Sequence, residues 1–171
     1  MEESLFEIGA FLAANRGWAS SFAWGGLDVR PKGRMAVLTC MDSRFTAQGI
    51  LGLELGDAHV IRNAGGRVTD DAVRSLVLSA HALGTRGCVL IHHTKCGLYG
   101  NTNEAIHQLV SEATGGDASG IDFLPFADLE ESVREDMRQL AACDLLPEGY
   151  SVLGFTYDVD TGLLTQIRLE D

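Results

Sequence analysis

Cys88-Val89-Leu90-Ile91-His92-His93-Thr94-Lys95-Cys96-Gly97 is the stretch on which the fold turns. Residues 88–91 form an apolar run without polar alternation. Such a run suits a strand covered on both faces, as in a parallel sheet sandwiched between helices. The run stops at His92 and His93, with Cys96 just beyond, and these side chains carry nitrogen and sulfur donors. In open α/β sheets, ligands sit beyond the carboxyl ends of the strands.

The pattern occurs twice earlier. Residues 35–39 read as a strand ending at Cys40 and followed by Met41-Asp42-Ser43-Arg44, and residues 58–61 as a second ending at Arg62 and followed by Asn63-Ala64-Gly65-Gly66. A helix is expected over residues 46–55 between them. Over residues 70–83, Ala72, Val73, Leu76, Val77, Ala80 and Leu83 make a helical stripe, with Thr69 placed to cap its start and Gly84 its end. Asn103 opens a short helix carrying Ile106, Leu109 and Val110, and Asp128 with Glu131 has capping-box spacing for a helix through Ala141. Residues 151–159 and 163–169, joined at Asp160-Thr161-Gly162, read as a hairpin extending the sheet. Near the N-terminus, residues 5–14 place Leu5, Ile8, Phe11 and Leu12 on one helical side, before a Gly-rich link. The expectation is an α/β fold: a central, mainly parallel β-sheet flanked by helices, in a single domain over residues 1–171, with 1–34 as N-terminal helix and arm.

Composition narrows the setting. A chain of 171 residues that is 46% hydrophobic fills one core. Its net charge of -11 and pI near 4.7 oppose binding to nucleic acid or to an anionic membrane, which need a basic face. No apolar run approaches the ~20 residues that span a bilayer. Glu2, Glu3 and Glu7 precede the first basic residue, Arg16, unlike the start of a secretory signal, so a cytoplasmic location is expected. Cysteines 40, 88, 96 and 143 are too scattered for a disulfide framework. Cys88 and Cys143 lie in apolar patterns and are expected in or near the core.

His93 and Cys96 are separated by two residues, so a turn after the strand lets both face one ion, with Cys40 supplied by a neighbouring strand end. Zn²⁺ takes such ligands in a tetrahedron, and three of them leave a fourth position for water. On spacing alone, two unrelated buried thiols and a hydrogen-bonded loop histidine explain these residues equally well. Asp42 and Arg44 are spaced to pair, which alone reads as a surface ion pair. Gly65 and Gly66 permit close backbone approach or mark a turn. The combination carries the signal.

Cys40-x-Asp42-x-Arg44, Arg62-Asn63-Ala64-Gly65 and His93-x-x-Cys96-Gly97, in that order, resemble the β-class carbonic anhydrases, and the compact length with Asp70-Asp71-Ala72-Val73-Arg74-Ser75-Leu76 looks most like their short, mycobacterial-type branch. The similarity runs from about residue 35 to residue 97, with weaker echoes over 69–84 and 154–159. The family also contains carbonyl sulfide and carbon disulfide hydrolases. The resemblance implies one Zn²⁺ per subunit on Cys40, His93 and Cys96. It implies catalytic roles for Asp42, which orients or deprotonates the zinc water, and Arg44, which holds Asp42 off the metal. In some members the Asp swings onto zinc at lower pH.

The implied activity is reversible hydration of CO₂ to bicarbonate and a proton by attack of zinc-bound hydroxide. The alternatives are hydrolysis of carbonyl sulfide or carbon disulfide by the same site, or a noncatalytic zinc or redox-sensing protein. Backbone N–H groups at Gly65 and Gly97 are candidates to contact substrate. His92 and His107 read as proton shuttles or as structural residues. A homodimer or homotetramer is implied, and Trp18, Phe22 and Trp24 suit either a contact arm or a local core. Two departures stand out. Lys95 replaces the Asp of many short-branch relatives, and Val37 stands where the bicarbonate-regulated subgroup has Trp, so that noncatalytic bicarbonate site is not expected.

Overall fold

The structure, a computed structural model, describes residues 7–169. Five strands, β1 (Met35–Cys40), β2 (Ala58–Asn63), β3 (Gly87–His93), β4 (Ser151–Tyr157) and β5 (Leu164–Ile167), form one sheet in the order β2-β1-β3-β4-β5. The first four are parallel, and β5 returns antiparallel to β4 as the expected hairpin. The helices are α1 (Ile8–Ser20), α2 (Ala47–Leu51), α3 (Asp70–His81), α4 (Asn103–Thr114) and α5 (Leu129–Ala141), with a short 3₁₀ turn at Ala64–Gly66.

Strand pleating sends alternate residues to opposite faces. Ala36 and Leu38 of β1 and Cys88 and Leu90 of β3 pack with Leu76 of α3 and with Val133, Met137 and Leu140 of α5. Val37 and Ile91 point the other way, into a second cluster with Phe45, Leu98, Phe126 and Tyr157. The sheet is thus apolar on both faces, which explains the unbroken apolar runs. Cys88 is buried and Cys143 packs against the first cluster, as expected.

Caps set most helix ends. The Thr69 hydroxyl accepts from Ala72 N at 3.2 Å at the start of α3, and Asp128 accepts from Glu131 N at 2.8 Å at the start of α5. The reciprocal half of that capping box is absent, because the Glu131 carboxylate is taken by Arg138 at 2.8 Å and Arg134 at 3.4 Å. α2 is shorter than its expected 46–55, since Gly52 adopts a left-handed conformation (φ 64) and caps it at once. α3 closes on Ala82 rather than Gly84. α1 runs on to Ser20 and takes in Trp18, well past the expected 14; the expected start at Leu5 lies outside the described residues. β3 continues through both histidines.

Candidate metal centre

β1 and β3 are adjacent and in register, Thr39 opposite Ile91, so Cys40 and His93 leave the sheet side by side. The turn after β3 then doubles back through Lys95, which takes the left-handed conformation (φ 55) and returns Cys96 towards the strand ends. One donor atom from each of Cys40, His93 and Cys96 lies within 4.8 Å of the others, and all three residues are buried.

The donor chemistry fits a metal ion. His93 Nδ1 lies 2.8 Å from the Thr94 carbonyl oxygen and is positioned to donate to it, which presents Nε2 to the cluster. That Nε2 is sealed from water and has no hydrogen-bond partner. A buried polar atom left unpaired is costly, and a cation among two sulfurs and this nitrogen removes the cost. One of the two thiols is already biased towards ionisation. Cys40 is shifted well below the usual thiol range, mainly by a hydrogen bond from Cys96, then by the neighbouring His93 ring and by backbone N–H groups of Asp42 and Gly65, which together outweigh its burial. Cys96 moves in the opposite direction because it is the donor to Cys40. Cys88, buried in the sheet, is pushed up to about 12 by desolvation.

Asp42 stands beside this cluster, its Oδ2 3.9 Å from His93 Nε2. Arg44 grips both carboxylate oxygens, Nε to Oδ1 at 2.9 Å and Nη2 to Oδ2 at 2.8 Å, and its backbone N–H reaches Oδ1 at 2.9 Å. These bonds hold the Asp42 carboxyl below the usual carboxylate range. Arg44 Nη2 also donates to the Lys95 carbonyl at 2.9 Å, tying the two loops together. Lys95 itself points outward and pairs with Asp160 on the hairpin turn at 2.8 Å.

The structure therefore brings together Cys40, Asp42, Arg44, His93 and Cys96. Gly65 is buried in a left-handed turn with its N–H directed at the Cys40 sulfur, while Gly97 is exposed and its carbonyl accepts from Asn101 at 2.8 Å. The two histidines considered as proton shuttles point elsewhere. His92, one pleat out of phase with His93, faces α5 and contacts Ser132 at 2.7 Å; His107 contacts the Ile121 carbonyl at 2.7 Å. Arg62 is more important than its sequence context suggests. Its guanidinium donates to the carbonyls of Cys40, at 2.9 Å, and of Asp42, and lies over the Phe45 ring, so it fixes the loop that carries both residues. Its sequence signals are its place at the end of β2 and in the Arg62-Asn63-Ala64-Gly65 motif, neither of which says what it holds.

Residues 35–164 match the family described as carbonic anhydrase. The chain belongs to the β-carbonic anhydrase family. It is 38% identical over 159 residues to beta-carbonic anhydrase 1 of Mycobacterium tuberculosis, covering 92% of this chain and 95% of that one. The carbonic anhydrase of Streptococcus mutans superposes with a TM-score of 0.92 at 44% identity, covering 97% of this chain and all of the other. Family membership does not single out one substrate. A carbon disulfide hydrolase of Acidithiobacillus thiooxidans is 32% identical over 189 residues, covering 96% of this chain and 86% of its own length. Among the described residues, no helix is long and apolar enough to cross a membrane.

Proposed function

We propose that this protein catalyses the reversible hydration of CO₂ to bicarbonate and a proton, using Zn²⁺ held by Cys40, His93 and Cys96. The observation that carries this reading is the convergence of those three donors within 4.8 Å, with an Arg-restrained carboxylate alongside. Three ligands leave one tetrahedral position for a reactant, whereas a purely structural site is normally closed by a fourth. Zinc bound there would supply Lewis acidity, lowering the pKa of a water molecule enough for it to ionise near neutral pH and serve as a nucleophile.

The chain's own residues place that water. Asp42 is kept anionic by Arg44, and its Oδ2 stands beside the cluster, 3.9 Å from His93 Nε2, where it can accept from a water bound there. A carboxylate with so low a proton affinity is a weak base, so its main work is to accept a hydrogen bond and orient the water rather than to retain its proton. Arg44, anchored to the Lys95 carbonyl, keeps the carboxylate from closing onto the metal. The rim at Gly97 offers backbone groups for a small substrate.

A second reading, hydrolysis of carbonyl sulfide or carbon disulfide at the same centre, is supported by the similarity to the carbon disulfide hydrolase over 96% of this chain. Stopped-flow CO₂ hydration on zinc-loaded protein, with both sulfur substrates run on the same sample, tests the two. Fast CO₂ turnover is expected. Turnover of a sulfur substrate alone selects the second reading, and zinc bound without any turnover removes both in favour of a noncatalytic zinc protein.

The assembly proposed is a homodimer or homotetramer. No residue of α1 is buried, and Ile8, Leu12, Trp18 and Phe22 are exposed, with Trp18 stacked on Trp24 at 5.5 Å. An apolar arm of this kind suits a surface covered by another subunit. The four free cysteines suit a reducing, cytoplasmic setting.

A further inference from the structure

The turn between β2 and α3 lies against both metal-binding loops. A Cβ on Gly66 (φ 72) would stand 2.8 Å from the Thr39 carbonyl carbon and 2.9 Å from Cys40 N, and one on Gly65 (φ 76) 2.7 Å from Leu98 Cδ1. That contact allows the Gly65 N–H to face the Cys40 sulfur. A shift of a few tenths of an ångström in the turn would change this bond, so whatever fixes the turn acts on the site.

One anchor is local: Asn63 Nδ2 donates to the Arg67 carbonyl at 2.8 Å. The other comes from α5. Asp136, almost completely buried, accepts from Val68 N at 3.1 Å through Oδ2 and lies 3.1 Å from Arg67 Nη2 through Oδ1. Arg67 is buried too; its Nε and Nη1 have no protein partner, and its other carboxylate contact is Glu135 at the rim, 3.2 Å away. The guanidinium lies over the Phe126 ring, on which His92 also stacks, and His92 Nε2 is 3.2 Å from Asp136 Oδ2. Burying an ion pair seldom adds net stability, because desolvation offsets the attraction. What this pair supplies is a fixed position.

We infer that Asp136 is a positioning residue for the metal centre: from α5 it clamps the 64–68 turn through Val68 N–H and Arg67, so that the turn presents the Gly65 N–H to the Cys40 sulfur. The inference rests on the reading of Cys40 as a metal ligand. A hydrogen bond to a ligand sulfur draws electron density from it, so losing the bond moves a thiolate-to-metal band to lower energy, while losing the outer support that holds the ligand in position typically costs about 10–100-fold in metal affinity.

The test uses the full chain loaded with Co²⁺, whose thiolate-to-cobalt charge-transfer band reports electron density on sulfur and whose affinity is read by chelator competition. Asp136→Leu removes the clamp and is expected to move the band to lower energy and to weaken Co²⁺ binding about tenfold. Asp136→Asn, which keeps an acceptor for Val68 N–H, is expected to fall between Asp136→Leu and the unaltered protein. Glu135→Gln, at the rim, should leave the band in place. If the Leu variant does not fold, Asp136→Asn and Arg67→Met carry the test. Folded variants with an unchanged band and affinity, or a lower melting temperature with no band shift, overturn the clamp and leave the metal centre standing. Absence of any thiolate band in the unaltered protein overturns both.

Discussion

Asp42 and Asp136 each meet an arginine, at 2.8 and 3.1 Å, but in opposite surroundings. The Asp42 and Arg44 side chains are 18% and 44% exposed, whereas those of Asp136 and Arg67 are 2% and 7% exposed. The outer pair is made within one loop and is reached by water, so it holds a carboxylate in place while leaving it available to a reactant. The inner pair joins a turn to a distant helix, and no solvent can take over the role of a missing partner. Similar chemistry therefore serves two purposes. Near the surface, ion pairing adds little stability, and in the function proposed its value is in orienting a group that acts. In the interior, removing one partner leaves an uncompensated charge at a cost of about 3 kcal/mol, and the value lies in immobility.

Both pairs are read here as serving one metal, and His93→Ala is the severest check of that premise. It should abolish nearly all zinc binding while the sheet stays folded, as measured by metal analysis and far-UV circular dichroism; undiminished zinc content would detach both pairs from a metal centre. Next in size, Asp42→Ala should keep its zinc yet lose about 10²-fold in kcat/KM, the scale on which a misplaced reactant slows an enzyme. The same change should shift the unfolding midpoint far less than Asp136→Leu does, which separates the acting carboxylate from the immobile one.

Arg44→Ala gives a smaller effect with a defined sign. Arg44 depresses the Asp42 pKa, so the carboxylate contributes stability above its unfolded value of about 4, and that contribution is lost as pH falls through the lower folded value. Without Arg44 the folded pKa moves back up towards the ordinary range. The acid limb of kcat/KM should therefore begin at higher pH, and the stability gained between pH 2 and 5, which linkage confines to about that window, should shrink. An unmoved acid limb would show that another group sets it. The smallest effect is expected from Lys95→Ala. Lys95 and Asp160 are 62% and 60% exposed, so the change should cost about 0.5 kcal/mol or less and disappear in high salt, as urea unfolding would show.

Much of the fold was readable because β1 and β3 are apolar runs ending in polar donors, and because Thr69 and Asp128 mark helix starts by local hydrogen bonding. Strand order was not readable: the place of β1 between β2 and β3 depends on pairing between distant segments. The same limit applies to the site. Cys40, His93 and Cys96 stand in motifs whose residue types announce metal ligation, whereas Arg62 stands in a motif that does not announce its role, which comes from register: it reaches the carbonyls of Cys40 and Asp42 at the end of the neighbouring strand. Asp136 left a faint signal. It lies three residues after Val133 and four before Leu140, on the buried face of α5, but the charged neighbours Arg134 and Glu135 disguise that position. Nothing local announces its partner Arg67.

The pleat of β3 has a further consequence, for the insertions and deletions this gene can accept. His92 and His93 stand next to each other but serve opposite faces of the sheet, one under α5 and one beside the thiols. The tandem imidazoles resemble a spare pair, yet they are not redundant. A one-residue slip that brought His92 to the cluster would turn Ile91 towards Asp136, and a slip the other way would offer Thr94 to the cluster. Either frame pairs one correct face with one wrong one, and a slip of two residues restores the pleat but brings Ile91 or Lys95 to the cluster, so a length change that shifts these histidines should cost the metal site whatever its size.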